Sequence, residues 1–373
     1  MANVQASAAT PSAADATIAP AVASSASDGG PVAASDGGAG AAGGALIVGV
    51  DLGATKIAVI VVDAEERVVG RARSVVPTAS GRGDASPGDA SLVDAVAATI
   101  RDALDGVPDG GPRLTAIGVG APGRIDPERG TVRGAVNLGV DELALGPALG
   151  DRFGVPWALE NDVRAAALGV ARADPSGGDL AYVNIGTGVA AGIVLDGEVR
   201  RGARGIAGEV GHIAVTEGPH CRCGLDGCVE TQVAGPAIVA RARAAGLDDR
   251  LSPDGDLRAT DVLRAAAAGD ASAATIADAV GRTLAGVAHG LILTYDVPRV
   301  VFGGGVTEAG DAFLAPILRD LERRREASPF LRDLLAPGSV GAVEPGSDAA
   351  CRGAVAIARA RLAAGPAAGT VAG

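Results

Sequence analysis

The residues equipped for chemistry are few and clustered. Within GEVGHIAVTEGPHCRCGLDGCVE, His212, Cys221, Cys223 and Cys228 follow a His-x8-Cys-x-Cys-x4-Cys pattern, four soft metal ligands in 17 residues. That donor set suits a closed tetrahedral Zn2+ site, and a site without an open coordination position is structural, not catalytic. Gly224 and Gly227 let the chain reverse between ligands, His220 is a competing ligand, and reduced thiols without metal are the alternative. Glu209, three residues before His212, and Glu230, two after Cys228, would be fixed in space by such a metal. Rigidly held carboxylates suit recognition of sugar hydroxyls, although either glutamate alone fits an ordinary solvated position.

Two further segments fit phosphate chemistry. The 32 basic side chains include one lysine, Lys56, in VGVDLGATKIAVIVVD, and a similar small-residue turn recurs in NIGTGVAAG. Gly53, Ala54 and Thr55 in one turn, and Gly186, Thr187 and Gly188 in the other, let backbone N-H groups approach a phosphate, with a Thr hydroxyl as an added donor. Asp51 can hold Mg2+ directly or through its water, and Lys56 offers a compact charge where a planar guanidinium would fit less well. Each turn by itself could be an ordinary hairpin. GVGAPG at 118–123 matches Gly-x-Gly-x-x-Gly, but Pro122 and RIDPERG after it describe a turn and not a helix start, so the dinucleotide context fails.

In ALENDVRAAALG, Asp162 stands where a strand meets an Ala-rich helix. Asn161 or Asp162 there could be a plain helix cap. The functional alternative is a carboxylate that accepts the proton of a substrate hydroxyl as its oxygen attacks phosphorus.

These groups need a frame. Residues 1–45 are Ala, Ser, Gly and Pro with repeated SDGG and no apolar period, which reads as a disordered tail. From Ala45, ALIVGVD, KIAVIVVD and RVVGRARSVV suggest three strands in a meander. After a Gly-rich loop at 80–90, Leu92, Val96, Ile100 and Leu104 mark an amphipathic helix. The strand LTAIGVG, a helix near 142–153 and the strand PWALEND follow. A second hairpin, LAYVNIGTGVAAGIVLDGEV, opens a second series with a helix near 271–293, the strand RVVFGGG and a last helix near 347–362. Two similar openings point to a duplicated α/β fold.

Composition narrows the class. Forty-eight per cent of the 373 residues are apolar, enough for two domains. Seven aromatic residues leave few rings for stacking nucleobases, and a net charge of −12 opposes non-specific binding to nucleic acid or anionic membrane. The first basic residue is Lys56, so no export signal is expected. No run of about 18 uncharged apolar residues suggests a membrane span, and a cytoplasmic location is expected. Cys351 reads as a small buried residue.

In combination and order, DLGATK, GAPGRID, END, IGTGVAAGI, GARGIAGEVGH, CRCGLDGCVE and VFGGG resemble the ROK family of sugar kinases and regulators over about residues 45–363, most like its ATP-dependent glucokinases. The resemblance implies a duplicated actin-like ATPase (ribonuclease H-like) α/β fold, two lobes around a central cleft. The lobes would be 46–160, completed by a C-terminal helix at 346–363, and 161–345 with the zinc loop, followed by a flexible tail at 364–373. It implies ATP-dependent phosphorylation of a hexose, at the 6-hydroxyl of glucose, with Asp162 as base. Asn161, Glu209, His212 and Glu230 would contact the sugar, and Gly123 and Asn137 would lie near it. Gly303, Gly304 and Gly305 would border the adenosine. ATP, Mg2+ and structural Zn2+ are the implied cofactors, and a homodimer or homotetramer the implied assembly. The alternatives are fructose, mannose, N-acetylmannosamine or N-acetylglucosamine as acceptor, polyphosphate as donor, or a sugar-binding transcriptional regulator. Ala54 stands where the family has a second Gly, and Arg164 where it typically has Asn.

Overall fold

The computed structural model describes residues 17–18, 44–77, 89–107, 113–174, 177–252 and 255–365. Of the expected loop at 80–90, residues 80–88 lie outside the described residues, as do most of the two tails, while 89–90 already begin a helix. Of the N-terminal tail, Thr17–Ile18 (β1) pairs in parallel with Val340–Val343 (β14).

The three-strand meander expected after Ala45 is present as Ala45–Leu52 (β2), Lys56–Val62 (β3) and Val68–Val75 (β4), all paired antiparallel. Arg113–Ala121 (β5) joins β2 in parallel, and Trp157–Asn161 (β9) joins β5 in parallel, so the sheet order is β4-β3-β2-β5-β9. Between β5 and β9 lies a three-stranded sheet of Arg124–Asp126 (β6), Thr131–Ala135 (β7) and Val140–Leu143 (β8). Sequence reading gave only a turn here, because strands of three to five residues are too short to display a period of two.

The second sheet contains Leu180–Ile185 (β10), Val189–Leu195 (β11), Glu198–Val199 (β12), Arg299–Gly303 (β13) and β14, in the order β1-β14-β13-β10-β11-β12. Read from its meander, the order is third, second, first, fourth, fifth, as in the first sheet. The duplication inferred from two hairpins is thus present in the topology.

The chain divides into two compact units. Among the described residues, the first comprises those within 44–182, 191–208 and 347–365, the second those within 17–18, 183–190 and 209–346. In the first, Asp89–Asp105 (α1) and Leu145–Phe153 (α2) pack on one face of the sheet, through Leu92, Val96, Ile100, Leu145 and Leu149 against Val48, Val50 and Leu52. The other face carries Asp162–Ala173 (α3) and Ala349–Ala363 (α11). Ile47, Ile60 and Val62 meet Cys351 and Val355 there, so Cys351 is buried as expected. Burial on both faces explains the almost continuous apolar runs of β2 and β3. Helix α11 lies unusually close: a Cβ at Gly118 would stand 1.8 Å from the Ala354 carbonyl oxygen.

The second unit is mainly helical: Val229–Val233 (α4), Gly235–Ala244 (α5), Asp248–Leu251 (α6), Ala259–Ala267 (α7), Ala271–Tyr295 (α8), Asp311–Ala327 (α9) and Pro329–Leu334 (α10). Among the described residues, α8 alone is long and apolar enough to cross a membrane. Half of its most apolar window is buried, and Ile276, Val280, Leu284 and Leu291 are core residues.

Candidate functional site

In the first unit, strand register gathers charge at one end of the sheet. Asp51 pairs with Ala58 on one side and Gly120 on the other, and Ala58 pairs with Arg73. Side chains alternate along a strand, so Lys56, two residues from Ala58, shares the face of Asp51 and Arg73. The turn between β2 and β3 closes through Gly53 N-H to the Lys56 carbonyl at 2.9 Å, and Thr55 and Lys56 are exposed. Asp162 begins α3 next to this end: a Cβ at Gly120 would lie 3.4 Å from the Asp162 Cα.

The electrostatics report the same proximity. Burial, then the Asp162 charge, push the Asp51 carboxyl up to about 7, against a smaller lowering by Arg73. Burial, with Asp51 and Asp162 adding to it, also raises the Tyr182 phenol. The two carboxylates at this sheet end are oxygen donors whose mutual repulsion a divalent cation would relieve.

Asn161 is a helix cap in fact: its Oδ1 accepts from the N-H groups of Val163 and Arg164 at 3.1 and 3.2 Å. Its Nδ2 donates to Asp162 Oδ1 at 2.9 Å, and the Val163 N-H reaches that oxygen at 2.9 Å. Capping and orientation of the Asp162 carboxylate are therefore done by one amide. Behind them lies a cluster that sequence reading did not identify. Glu160, 1% exposed, accepts from the Asn161 N-H at 2.9 Å, Arg164 Nε at 2.8 Å and Arg201 Nε at 2.5 Å. Arg164 Nη1 donates onward to the Gly205 carbonyl at 3.1 Å. The only sequence signal was Arg164 itself, a cation on an otherwise Ala-rich helix.

Gly123, at φ 91°, abuts the small sheet, where a Cβ would come within 3.2 Å of Ala135. Asn137 is exposed in the 3-10 turn Val136–Leu138 just beyond. These two therefore sit near one another.

In the second unit, the ligand atoms of His212, Cys221, Cys223 and Cys228 all lie within 4.8 Å of one another. His212 Nδ1 is 3.5 Å from Cys221 Sγ, and Cys223 Sγ is 3.5 Å from Cys228 Sγ. Zn-S bonds of about 2.3 Å in a tetrahedron place sulfurs about 3.8 Å apart, so the cluster fits structural zinc. His220, the competing ligand, instead meets Asp226 at 2.9 Å and is exposed. Glu209 is exposed, and its carbonyl accepts the His212 N-H at 3.1 Å.

The Gly186–Gly188 turn closes by Gly186 N-H to the Gly188 carbonyl at 3.0 Å. Gly304, at φ 91°, packs on the same strand end, where a Cβ would be 2.5 Å from the Ile185 carbonyl oxygen. Gly186 and Thr187 of the turn border one cavity of about 570 Å³ with Gly305 and Val306, together with Arg243 and Arg258, whereas Gly303 and Gly304 lie outside its lining. Those arginines were not foreseen. The available signal was GP at 235–236, a Pro-marked helix start that opens onto the cavity.

The ROK family profile matches residues 47–361. The chain belongs to the ROK family. It is 33% identical over 287 residues to the glucokinase of Halalkalibacterium halodurans, covering 74% of this chain and 84% of that one. A ROK family glucokinase from Streptomyces griseus, solved in complex with glucose and AMPPNP, is 32% identical with a TM-score of 0.67 over 85% of this chain and all of that one. The N-acetylglucosamine repressor of Escherichia coli is 33% identical over 229 residues, 59% of this chain and 55% of the repressor. The fold is the duplicated actin-like ATPase fold of the ROK glucokinases.

Proposed function

We propose that the chain is an ATP-dependent hexose kinase that transfers the γ-phosphate of ATP to the 6-hydroxyl of glucose, with Asp162 as general base. The observation that carries this reading is the pair Asp51 and Asp162 on one sheet end: one carboxylate suited to a cation, the other fixed by Asn161 at a helix start. Asp162 would orient the sugar hydroxyl and accept its proton as phosphorus is attacked. Asn161, Glu209, His212 and Glu230, with Gly123 and Asn137 nearby, are the proposed sugar residues. Asp51, Gly53, Ala54, Thr55 and Lys56, with Gly186, Thr187 and Gly188, would hold the phosphates, and Gly303, Gly304 and Gly305 the adenosine. Mg2+, when bound at Asp51, would offset charge on the phosphates.

The glucokinase relative is matched over 84% of its length and the repressor over 55%, which favours the kinase. We also propose a homodimer or homotetramer and the cytoplasm as compartment. An ADP-release assay over glucose, mannose, fructose, N-acetylglucosamine and N-acetylmannosamine, with ATP and polyphosphate compared as donors, tests the function. Glucose with ATP should give the highest kcat/KM, and absence of sugar-dependent ADP release refutes the reading.

A further inference from the structure

The second small-residue turn carries no cation of its own. Between Ile185 and Val189 it offers only backbone N-H groups and the exposed Thr187 hydroxyl. A phosphate site made of peptide dipoles works only if the backbone is held in place before the anion arrives. What holds this one is the zinc loop.

We propose that Glu230 is the positioning residue of the Gly186–Gly188 turn and couples the zinc site to nucleotide phosphate binding. The proposal rests on the reading of that turn as a phosphate element. Val189, the buried residue that follows the turn, donates its N-H to Glu230 Oε2 at 3.0 Å. A Cβ at Gly188 would stand 2.7 Å from the same oxygen, so the carboxylate is packed directly on the turn. The opposite polar group of Val189 is gripped too. Gly211, the neighbour of His212, lies so close that a Cβ there would be 2.1 Å from the Val189 carbonyl oxygen.

Both grips come from residues next to zinc ligands: Glu230 is two residues from Cys228, and Gly211 is one from His212. Helix α4 stiffens the link, with Thr231 Oγ1 donating to the Cys228 carbonyl at 2.8 Å. The junction of α4 and α5 adds a third tie, Gly235 N-H to the Gly186 carbonyl at 2.9 Å. With zinc holding His212 and Cys228 at a fixed separation, Val189 has no freedom to shift, and neither has the turn before it. Glu230 Oε1 is turned to a different neighbour, Arg222 Nη2 at 4.0 Å. One carboxylate thus holds the turn with one oxygen and presents the other elsewhere, which is compatible with a sugar contact.

The test measures equilibrium binding of ADP and of adenosine to the full chain by calorimetry, without sugar. Glu230→Ala should weaken ADP binding about tenfold or more, the scale of a hydrogen bond to a charged group, and leave adenosine unchanged. Glu230→Gln should restore ADP affinity, because its side-chain oxygen accepts the same N-H. Removing zinc with a chelator should reproduce the alanine result and speed hydrogen exchange at the Val189 amide. Equal ADP affinity in all three proteins, a glutamine variant as weak as alanine, or parallel loss of ADP and adenosine each overturns the proposal. Glu230→Asp, whose shorter carboxylate also misses Val189, replaces alanine should that variant not fold. A wild type that binds neither nucleotide refutes the kinase reading itself, a result distinct from any of these.

Discussion

Arg164 gives the most quantitative prediction, because its replacement leaves Glu160 with a buried charge and one fewer partner. The two side chains are 5% and 1% exposed and 2.8 Å apart. Removing one member of a buried pair costs about 3–5 kcal/mol, mostly the penalty of the charge left behind. Arg201 at 2.5 Å and the Asn161 N-H still reach Glu160, so the low end, about 3 kcal/mol, applies to Arg164→Met. At about 2–4 °C per kcal/mol for a domain of this size, the melting temperature should fall by about 6–12 °C. Arg201→Met removes a side chain that is 46% exposed and solvent-screened, and should cost about 1 kcal/mol or less. Adding Glu160→Gln to Arg164→Met should recover much of the loss, since a neutral amide no longer needs the cation. Differential scanning calorimetry of the three variants decides it. A shift under about 1 °C for Arg164→Met, or a double variant less stable than the single, would refute the view that this cluster is a tightly coupled buried charge set.

Asp162→Asn should lower kcat by roughly 10²-fold or more with little change in KM for ATP, measured by coupled ADP release. Asp51, raised from 3.8 to about 7, binds a proton more tightly in the folded than in the unfolded chain, so its contribution to stability is present below pH 4 and is lost as pH rises to 7. Asp51→Asn, free of Mg2+ and nucleotide, should therefore gain in melting temperature over wild type at pH 8 and gain less at pH 5; equal differences at both pH values count against a raised Asp51. Gly118→Ala forces a methyl to 1.8 Å from the Ala354 oxygen and should destabilise by about 1–3 kcal/mol or more, read from urea midpoints. Lys56→Arg should reduce kcat/KM for ATP by about tenfold, and Lys56→Met by more, since a forked guanidinium cannot replace a compact ammonium in a tight turn.

Much of this architecture was legible because apolar patterning is local. Leu92, Val96 and Ile100 recur every four residues and all three are fully buried on α1, and the unbroken run of β3 reports a strand covered on both sides. The zinc ligands were legible for the same reason, all four lying within 17 residues. The strands β6 to β8 were not, since a three-residue strand such as Arg124–Asp126 has no period to read. The bond from Arg201 to Glu160 spans 41 positions, as does that from Val189 to Glu230, and neither leaves a trace in local sequence. Asn161 presents a different case. The cap reading and the site reading were weighed as alternatives, yet its Oδ1 caps α3 while its Nδ2 orients Asp162.

The two small-residue turns occupy the same place in the two sheets, between the first and second strands of each meander, and their differences follow from their surroundings. The first has a charge of each sign close by, Asp51 and Lys56, and its turn residues are partly or fully exposed. An ammonium on a flexible stem tolerates some slack, because a point charge attracts phosphate over a range of positions. The second has no cation within it, so as the proposed phosphate element it would depend on directional N-H groups, whose strength falls steeply with misalignment. Such a turn needs an external brace, and Glu230 and Gly211, each beside a zinc ligand, supply it from both sides of Val189. On the proposal above, a closed metal site with no place for substrate acquires a reason to lie where it does: zinc bound there would stiffen the turn that has no charge to spare.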